Sequence, residues 1–366
     1  MVKIIYRYLI INTFISVSFL LNQCSSFPSK IGKKQVRIAI VGDIMCHNSQ
    51  LGTYWNAKTK SYSADSSFEY VKPILQNYDI VFGNLETTIT KDQADHSGYP
   101  RFGSPPGFVQ SIAKAGFHVL STANNHSADK GAQAIDLTIE TVLAEGMIPL
   151  GTYSSESDYQ NRRHFILEKN GIRIAVYNYT YSTNGIKVPG EKIVRLIEEK
   201  KIREDIRFSK TQNVDFTLVW FHFGTEYKTE PDKNQIKWVD VALEEGADLI
   251  IGGHPHVVQN FKKIETASNE NTQKQQLVAY SLGNFLSAQN APFTDGGIIL
   301  NFDLVVNGKD SKEIANINYE PVWVYPSGYR IIPIDRYLNQ EIDLKLPKHS
   351  EARMKAYKKQ LLKVLK

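Results

Sequence analysis

The sequence predicts an α/β protein built on two β-sheets, partly parallel and partly antiparallel, covered by helices. Three observations carry that expectation. β-branched runs alternate with segments of helical spacing through the first half of the chain. After Val257, strand-like runs follow one another with no long helix between them. Polar clusters fall directly after predicted strands, where α/β sheets bind their ligands.

The elements follow in order. Val36–Val41 reads as a buried strand that stops at Gly42-Asp43. Phe68–Leu75 has helical spacing and Tyr78–Phe82 reads as the next strand; Phe108–Ala115 and Phe117–Leu120 repeat that pairing. Ala132–Ala144 places Ile135, Ile139 and Val142 at helical spacing, Gly146 stops it, and Met147–Leu150 is a strand. Arg163–Leu167 and Ile172–Tyr177 flank Asn170-Gly171, a pair suited to the positive φ angles of a two-residue hairpin turn. Glu191–Ile206 is expected to be a charged amphipathic helix. Val214–Phe221 reads as a strand, Gln235–Glu245 as a helix and Asp248–Ile251 as a strand. Val257–Ile264, Gln276–Ser281 and Gly297–Val306 are further expected strands.

Composition narrows the class. A chain of 366 residues with 42% hydrophobic and 22% charged residues can bury a large core, which excludes a disordered or collagen-like chain. Two cysteines, Cys24 and Cys46, exclude a disulfide framework and a Cys-rich zinc site. The net charge of +5 is unevenly spread: residues 345–366 hold eight Lys/Arg against Glu351 alone. Without that tail and without Lys3 and Arg7 the body carries −4, so a basic nucleic-acid surface is not expected and no nucleic acid is assigned as partner. Met354, Tyr357, Leu361 and Leu365 recur at three- and four-residue spacing, so the basic tail, residues 336–366, reads as a helix packing an apolar stripe on the body, with a membrane-surface helix as the alternative.

Lys3 and Arg7 precede an apolar run from Leu9 to Leu21. Its thirteen residues would make about 20 Å of helix, short of the ~30 Å hydrocarbon core of a bilayer. That is the size of a signal-peptide core, so residues 1–23 are expected to be an export signal. The run ends at Leu21-Asn22-Gln23-Cys24, which resembles the lipobox of bacterial lipoproteins; the resemblance implies lipidation at Cys24 and a cell-envelope, membrane-anchored location. Residues 24–35 then form a short polar linker with Pro28 and Gly32.

Six polar clusters sit at strand exits: Asp43 in GDIM, Asn84 and Glu86 in GNLE, Asn124, Asn125, His126 and Asp129 in NNHSAD, His222 and Glu226 in HFGTEY, His254 and His256 in GGHPH, and Asn284 in SLGN. Carboxylates, amide oxygens and imidazoles together suit a divalent transition metal. His-Pro-His is the most pointed of them, because side chains at i and i+2 of an extended segment share one side. A strand-end Asp read alone is a helix cap, and a lone His is a core residue; the assembly of six clusters is what points to a site. Arg101, in the loop YPRFGSPP, and Lys130, beside the NNH cluster, are candidate partners for an anion. Cys46 reads as a small buried filler.

In order and spacing these clusters resemble the bacterial capsule synthesis protein family, the CapA or poly-γ-glutamate capsule proteins, over most of residues 36–300. That family in turn looks like a branch of the calcineurin-like metallophosphoesterase superfamily. The resemblance implies a four-layer sandwich of two mixed sheets flanked by helices, spanning residues 36–335, with one or two divalent ions of Mn, Zn, Fe or Mg. It implies Asp43, Glu86 and His256 around one ion, and Asn125, His222 and His254 around the other, sharing Glu86 as the bridge. His126 would be the catalytic acid on a leaving oxygen. Asp129 and Glu226 would orient ligating imidazoles, while Asn84, Asn124 and Asn284 would brace the site or bind substrate. Two positions depart from the superfamily pattern. Met45 stands where a His usually follows the first Asp, with His47 a partial replacement, and Glu86 stands where an Asp is usual.

The implied partners are an anionic polymer such as poly-γ-glutamate, or a phosphoester, with membrane capsule-synthesis proteins alongside. Charge alone does not separate the two anions. Three functions follow: an envelope-anchored capsule protein with a metal-dependent hydrolase or transferase site, a noncatalytic capsule-assembly or polymer-binding component, and a general metallophosphoesterase.

Overall fold

The computed structural model describes residues 32–267, 273–308 and 311–365. The expected export signal, Cys24 and most of the expected linker lie outside them. The chain begins in one sheet, where β1 (Lys34–Ile44), β2 (Ile80–Leu85), β3 (Val119–Ser121) and β4 (Ile148–Leu150) run parallel. It then builds a second sheet from β5 (Phe165–Lys169), β6 (Ile172–Thr180), β7 (Phe216–His222), β8 (Leu249–Gly253), β9 (Phe261–Ala267) and β10 (Gln273–Ala279). The order there is β5-β6-β7-β8-β10-β9, parallel from β6 to β10 and antiparallel at both edges. The chain returns to the first sheet with β11 (Asn284–Leu286), β12 (Gly296–Asn307), β13 (Ser311–Tyr325) and β14 (Arg330–Pro333). That sheet is ordered β14-β13-β12-β1-β2-β3-β4, with the short β11 beside the end of β1.

The layers follow from the alternation of side chains along the strands. Ile38 and Ile40 of β1, Phe82 of β2, Ile174 and Val176 of β6, and Leu218 and Trp220 of β7 meet in one core between the sheets. The intervening Ala39, Val41 and Val81 face outward and pack with Phe108 and Ile112 of helix α1 (Pro106–Ala115). On the far side, Val219 and Phe221 pack with Ile202 and Ile206 of α2 (Glu199–Lys210) and Val239 of α3 (Lys233–Glu244). Strands buried on both faces read as continuous apolar runs, and that is how β1 and β7 read. The result is the four-layer sandwich expected.

Met354, Tyr357 and Leu361 of the C-terminal helix α4 (Lys348–Val364) are buried against the same inter-sheet core. Among the described residues no helix is long and apolar enough to cross a membrane.

Several elements differ from expectation. The segment expected as one helix at Phe68–Leu75 is a 3₁₀ turn, Asp65–Phe68, and a single turn of helix, Lys72–Leu75, with Pro73 unable to donate to a continuous ladder. The helix expected from Glu191 begins at Glu199. Ile193–Val194 instead pairs with Thr152–Tyr153, and Arg195 is drawn beneath Tyr179 into a buried ion pair with Asp205. The strand expected at Val257–Ile264 begins at Phe261, because the preceding residues loop over the buried amide of Gln259, which donates to Lys228 O at 2.9 Å. The long β13 carries no clean alternation: its first half is partly exposed and Glu320 and Pro321 interrupt it, so sequence reading missed it. The Asn170-Gly171 hairpin stands as expected, with φ of 51° and 73°.

Candidate metal centre

The two parallel halves deliver their strand exits to one place. Asp43 lies at the end of β1, beside Asn284 on one side and Asn84 of β2 on the other. Glu86 follows β2, the 124–126 turn follows β3, His222 ends β7, and His254 and His256 follow β8. Asp43, Asn84, Glu86, His222 and Asn284 are wholly buried, and Asn125, His126, Asp129, His254 and His256 nearly so.

Close backbone approach makes this convergence feasible. A Cβ on Gly42 would sit 1.9 Å from Gly283 O, and one on Gly253 would sit 2.7 Å from Asp43 Oδ1. Only glycine at these two positions lets β1, β11 and β8 close on one another.

Asn84 is the hub. Its Nδ2 donates to Asp43 Oδ1 at 2.8 Å and Glu86 Oε2 at 3.3 Å, while its Oδ1 accepts from Ser121 Oγ at 3.2 Å and Asn124 Nδ2 at 3.3 Å. Asp43 Oδ2 accepts from the His254 backbone N–H at 3.2 Å and lies 3.1 Å from His256 Nδ1. Asn125 Oδ1 lies 2.7 Å from His222 Nε2. Glu86 Oε1 faces His222 Nε2 at 3.4 Å and His256 Nε2 at 3.8 Å, yet it is buried without a hydrogen-bond partner. His254 Nδ1 is equally buried and unpartnered.

Two sets of donors have ligand atoms within 4.8 Å of one another: Glu86, His254 and His256, and Asp43, Glu86 and His222. Glu86 is common to both, as a bridging carboxylate would be. The His254 ring also lies 4.9 Å from that of His222. His254 has φ 98° and His256 φ 59°, so the His-Pro-His segment is folded through left-handed turns, not extended. Its two rings end 5.8 Å apart.

The donors fit a divalent cation on their chemistry. An orphaned carboxylate oxygen and an orphaned imidazole nitrogen, both buried, are costly without a positive partner. The electrostatics agree. Burial alone would raise the Asp43 carboxyl, but the imidazoles of His256 and His222 and the Asn84 amide hold it below the usual carboxylate range. Burial would lower His256, but Glu86 and Asp43 outweigh it and raise the ring to about 9. The imidazole itself then carries the positive charge these carboxylates demand, which a cation would take over. His254 is driven well below the ordinary histidine value by burial and by the charges of His222 and His256. Neutral imidazole is the form that ligates a metal.

The remaining predicted residues divide. His126 Nδ1 lies 2.7 Å from Asp129 Oδ2, and that same oxygen accepts from the Phe102 N–H at 2.7 Å. Asp129 therefore braces His126 rather than a ligating imidazole. Asn124 fastens the turn, donating to Leu85 O at 2.8 Å and accepting from the His126 N–H at 3.1 Å. Asn284 Oδ1 lies 3.0 Å from His256 Nδ1 and braces that ring. His47 falls in neither of the two donor groups: its Nδ1 lies 3.3 Å from the Ala288 N and 3.1 Å from Gln50 Oε1, and burial drives the ring to about 4. Met45 is buried, its sulfur 3.8 Å from Ser287 Oγ. Cys46 is buried and its thiol is pushed up to about 12 by burial, an inert filler as expected. Glu226 is exposed and, among the described residues, hydrogen-bonds no imidazole, contrary to the role expected of it. Arg101 is likewise exposed, on a loop tip.

Sequence reading missed Asn178, whose Oδ1 accepts from the Ala123 N–H at 2.8 Å and ties the second sheet to the 124–126 turn. Its signal was a lone amide in the apolar strand IRIAVYNYT. Phe102 was missed too; it packs edge-on against both His47 and His126, at 5.1 Å and 4.6 Å.

A sandwich of two mixed sheets flanked by helices, with its polar cluster at the strand exits, is a metallophosphatase-like fold. The NAD nucleotidase of Haemophilus influenzae shares that fold, with a TM-score of 0.51 and 11% identity over 90% of this chain and 68% of its own. Residues 37–289, more than half of the chain, match the family described as bacterial capsule synthesis protein PGA_cap, and the chain belongs to that family. The capsule biosynthesis protein CapA of Bacillus anthracis is 27% identical over 78% of this chain and 68% of its own length. The PGA biosynthesis protein CapA of Bacillus subtilis is 29% identical over 76% and 70%.

Proposed function

We propose that this protein is an envelope-anchored component of poly-γ-glutamate-type capsule biosynthesis, working through a divalent-metal site with hydrolase or transferase chemistry on the polymer or its linkage. Family membership supports the capsule role. The observation that carries the metal site is the buried, unpartnered Glu86 Oε1 facing two imidazoles. The anchoring rests on the sequence of residues 1–24 alone.

Glu86, His254 and His256, with Asp43, His222 and Asn125, would hold one or two cations. When bound, such ions supply Lewis acidity and neutralise charge developing on a reacting oxygen. The chain's own residues do the rest. Asp129 fixes the orientation of His126, leaving Nε2 as the proton donor to a leaving oxygen. Asn84 holds Asp43 and Glu86 in register, and Asn284 holds His256. Phe102 packs edge-on against the His126 ring and limits its movement.

Metal analysis of the purified protein tests this. One or two divalent ions per chain are expected in the wild type and a clear loss in Glu86→Ala; metal-free wild type would leave only a noncatalytic assembly role. Hydrolysis of γ-glutamyl polymer by the metal-loaded protein, lost in His126→Ala with metal retained, is the accompanying expectation. Comparable or faster turnover of a simple phosphodiester would favour a general phosphoesterase instead.

A further inference from the structure

The mouth of this site is ringed by exposed tyrosines. Tyr99, Tyr181 and Tyr227 are 72%, 43% and 46% exposed, and they are the tyrosines among the strongly exposed large apolar side chains of the described residues. Two of them, Tyr181 and Tyr227, are fixed to the candidate metal centre by their backbone. The Tyr181 N–H donates to His222 O at 3.0 Å, and the ring lies 4.6 Å from His254. The Tyr227 N–H donates to Pro255 O at 2.8 Å, inside the His-Pro-His turn, and its ring lies 6.3 Å from His256. Tyr227 also takes φ 65°, uncommon for a bulky aromatic residue.

Tyr99 belongs to the loop tip that also carries Arg101. Gly98 on one side donates its N–H to Asn48 Oδ1 at 2.6 Å, where a Cβ would meet His47 Cα at 2.8 Å. Phe102 on the other side is tied to Asp129. The tip is therefore pinned at both ends while Tyr99 and Arg101 stand in solvent.

We propose that Tyr99, Tyr181 and Tyr227 form a rim that grips an extended polyamide chain bearing carboxylates as it crosses the metal centre, with Arg101 pairing a carboxylate. This rests on the reading of the site as polymer-facing. Tyrosine faces stack on planar amide groups, and phenolic hydroxyls donate to carboxylates. A small phosphoester seated at Glu86 and His126 would leave the rim bare, whereas a chain several units long spans it.

The test is equilibrium binding of poly-γ-glutamate to the purified full chain, with metal content measured on the same samples. The combined Tyr99→Ala, Tyr181→Ala, Tyr227→Ala variant is expected to bind at least about 10-fold more weakly while retaining its metal, since exposed aromatics carry much of such contacts. Replacing all three by Phe separates the contributions: partial recovery of affinity is expected from stacking alone. Wild-type affinity in the triple Ala variant overturns the proposal. So does a wild type that holds metal yet binds no polyglutamate, or one that binds a neutral glucan as tightly. A wild type that binds polyglutamate through the rim but carries no metal leaves the rim standing and refutes the metal-centre reading.

Discussion

The two ends of the same strands obey opposite rules. Between the sheets, β1, β7 and β8 contribute Ile38, Ile40, Leu218, Trp220, Leu249 and Ile251 to a core of apolar side chains, in which the Trp220 indole N–H is a buried polar atom. A few residues further along, the same strands end in Asp43, His222 and the His254 turn, where buried polar groups stand without partners. The first region is built for stability and the second stores an electrostatic demand. Substitutions in the two should therefore separate cleanly into effects on folding and effects on metal.

The largest expected effect is in the core. Trp220→Ala empties a fully buried site between the sheets and should cost about 3–5 kcal/mol in denaturant unfolding, with metal content per folded molecule unchanged. Loss of metal in that variant at preserved stability would erase the distinction. Glu86→Gln should do the reverse. Metal affinity should fall at least about 100-fold, because removing a ligand costs no less than removing a ligand's support. The metal-free protein should keep or gain stability in thermal unfolding, since a buried charge is gone.

Asn84→Ala should come next, at about 10- to 100-fold in metal affinity by competition with a chelator, because the amide that aligns both carboxylates is lost. An unchanged affinity would show that Asp43 and Glu86 hold their positions unaided.

The smallest effect sharpens the comparison by placing an unmet demand outside the strand-exit cluster, at the unpartnered Glu320 Oε1. Glu320 of β13 is raised to about 7 by burial, with Arg336 only partly opposing it. An acid whose folded value is raised leaves stability intact below its unfolded value and loses it as pH rises through the folded one. Stability should therefore fall between pH 5 and pH 8. Glu320→Gln should recover about 1 kcal/mol at pH 8 and almost nothing at pH 5, discounted for the group's partial exposure. A variant equally shifted at both pH values would assign the effect to packing.

Much of this was legible in the sequence where a residue type has one physical use. The buried strands announced themselves as apolar runs, and the polar clusters at their exits located Asp43, Glu86, Asn125, His222, His254 and His256 in one crevice. What the sequence hid was backbone conformation. His-Pro-His read as an extended pair, and the positive φ at both histidines follows from tertiary contact with Asp43, not from local propensity. Ile193–Val194 read as helix because its spacing is helical, but Arg195 is held by Asp205 and the 150–153 ribbon wins the segment. Glu226 read as a site residue by its neighbourhood to His222, and a turn carries it outward instead.

Anomalous scattering from a crystal soaked in Mn²⁺ examines the central claim at its source. The account predicts a difference peak in contact with Glu86 and both histidines of the His-Pro-His turn, with a second peak, where present, on the Asp43–His222 side of the same carboxylate. A well-ordered crystal with no peak at Glu86, or with its only peak elsewhere on the molecule, would contradict it.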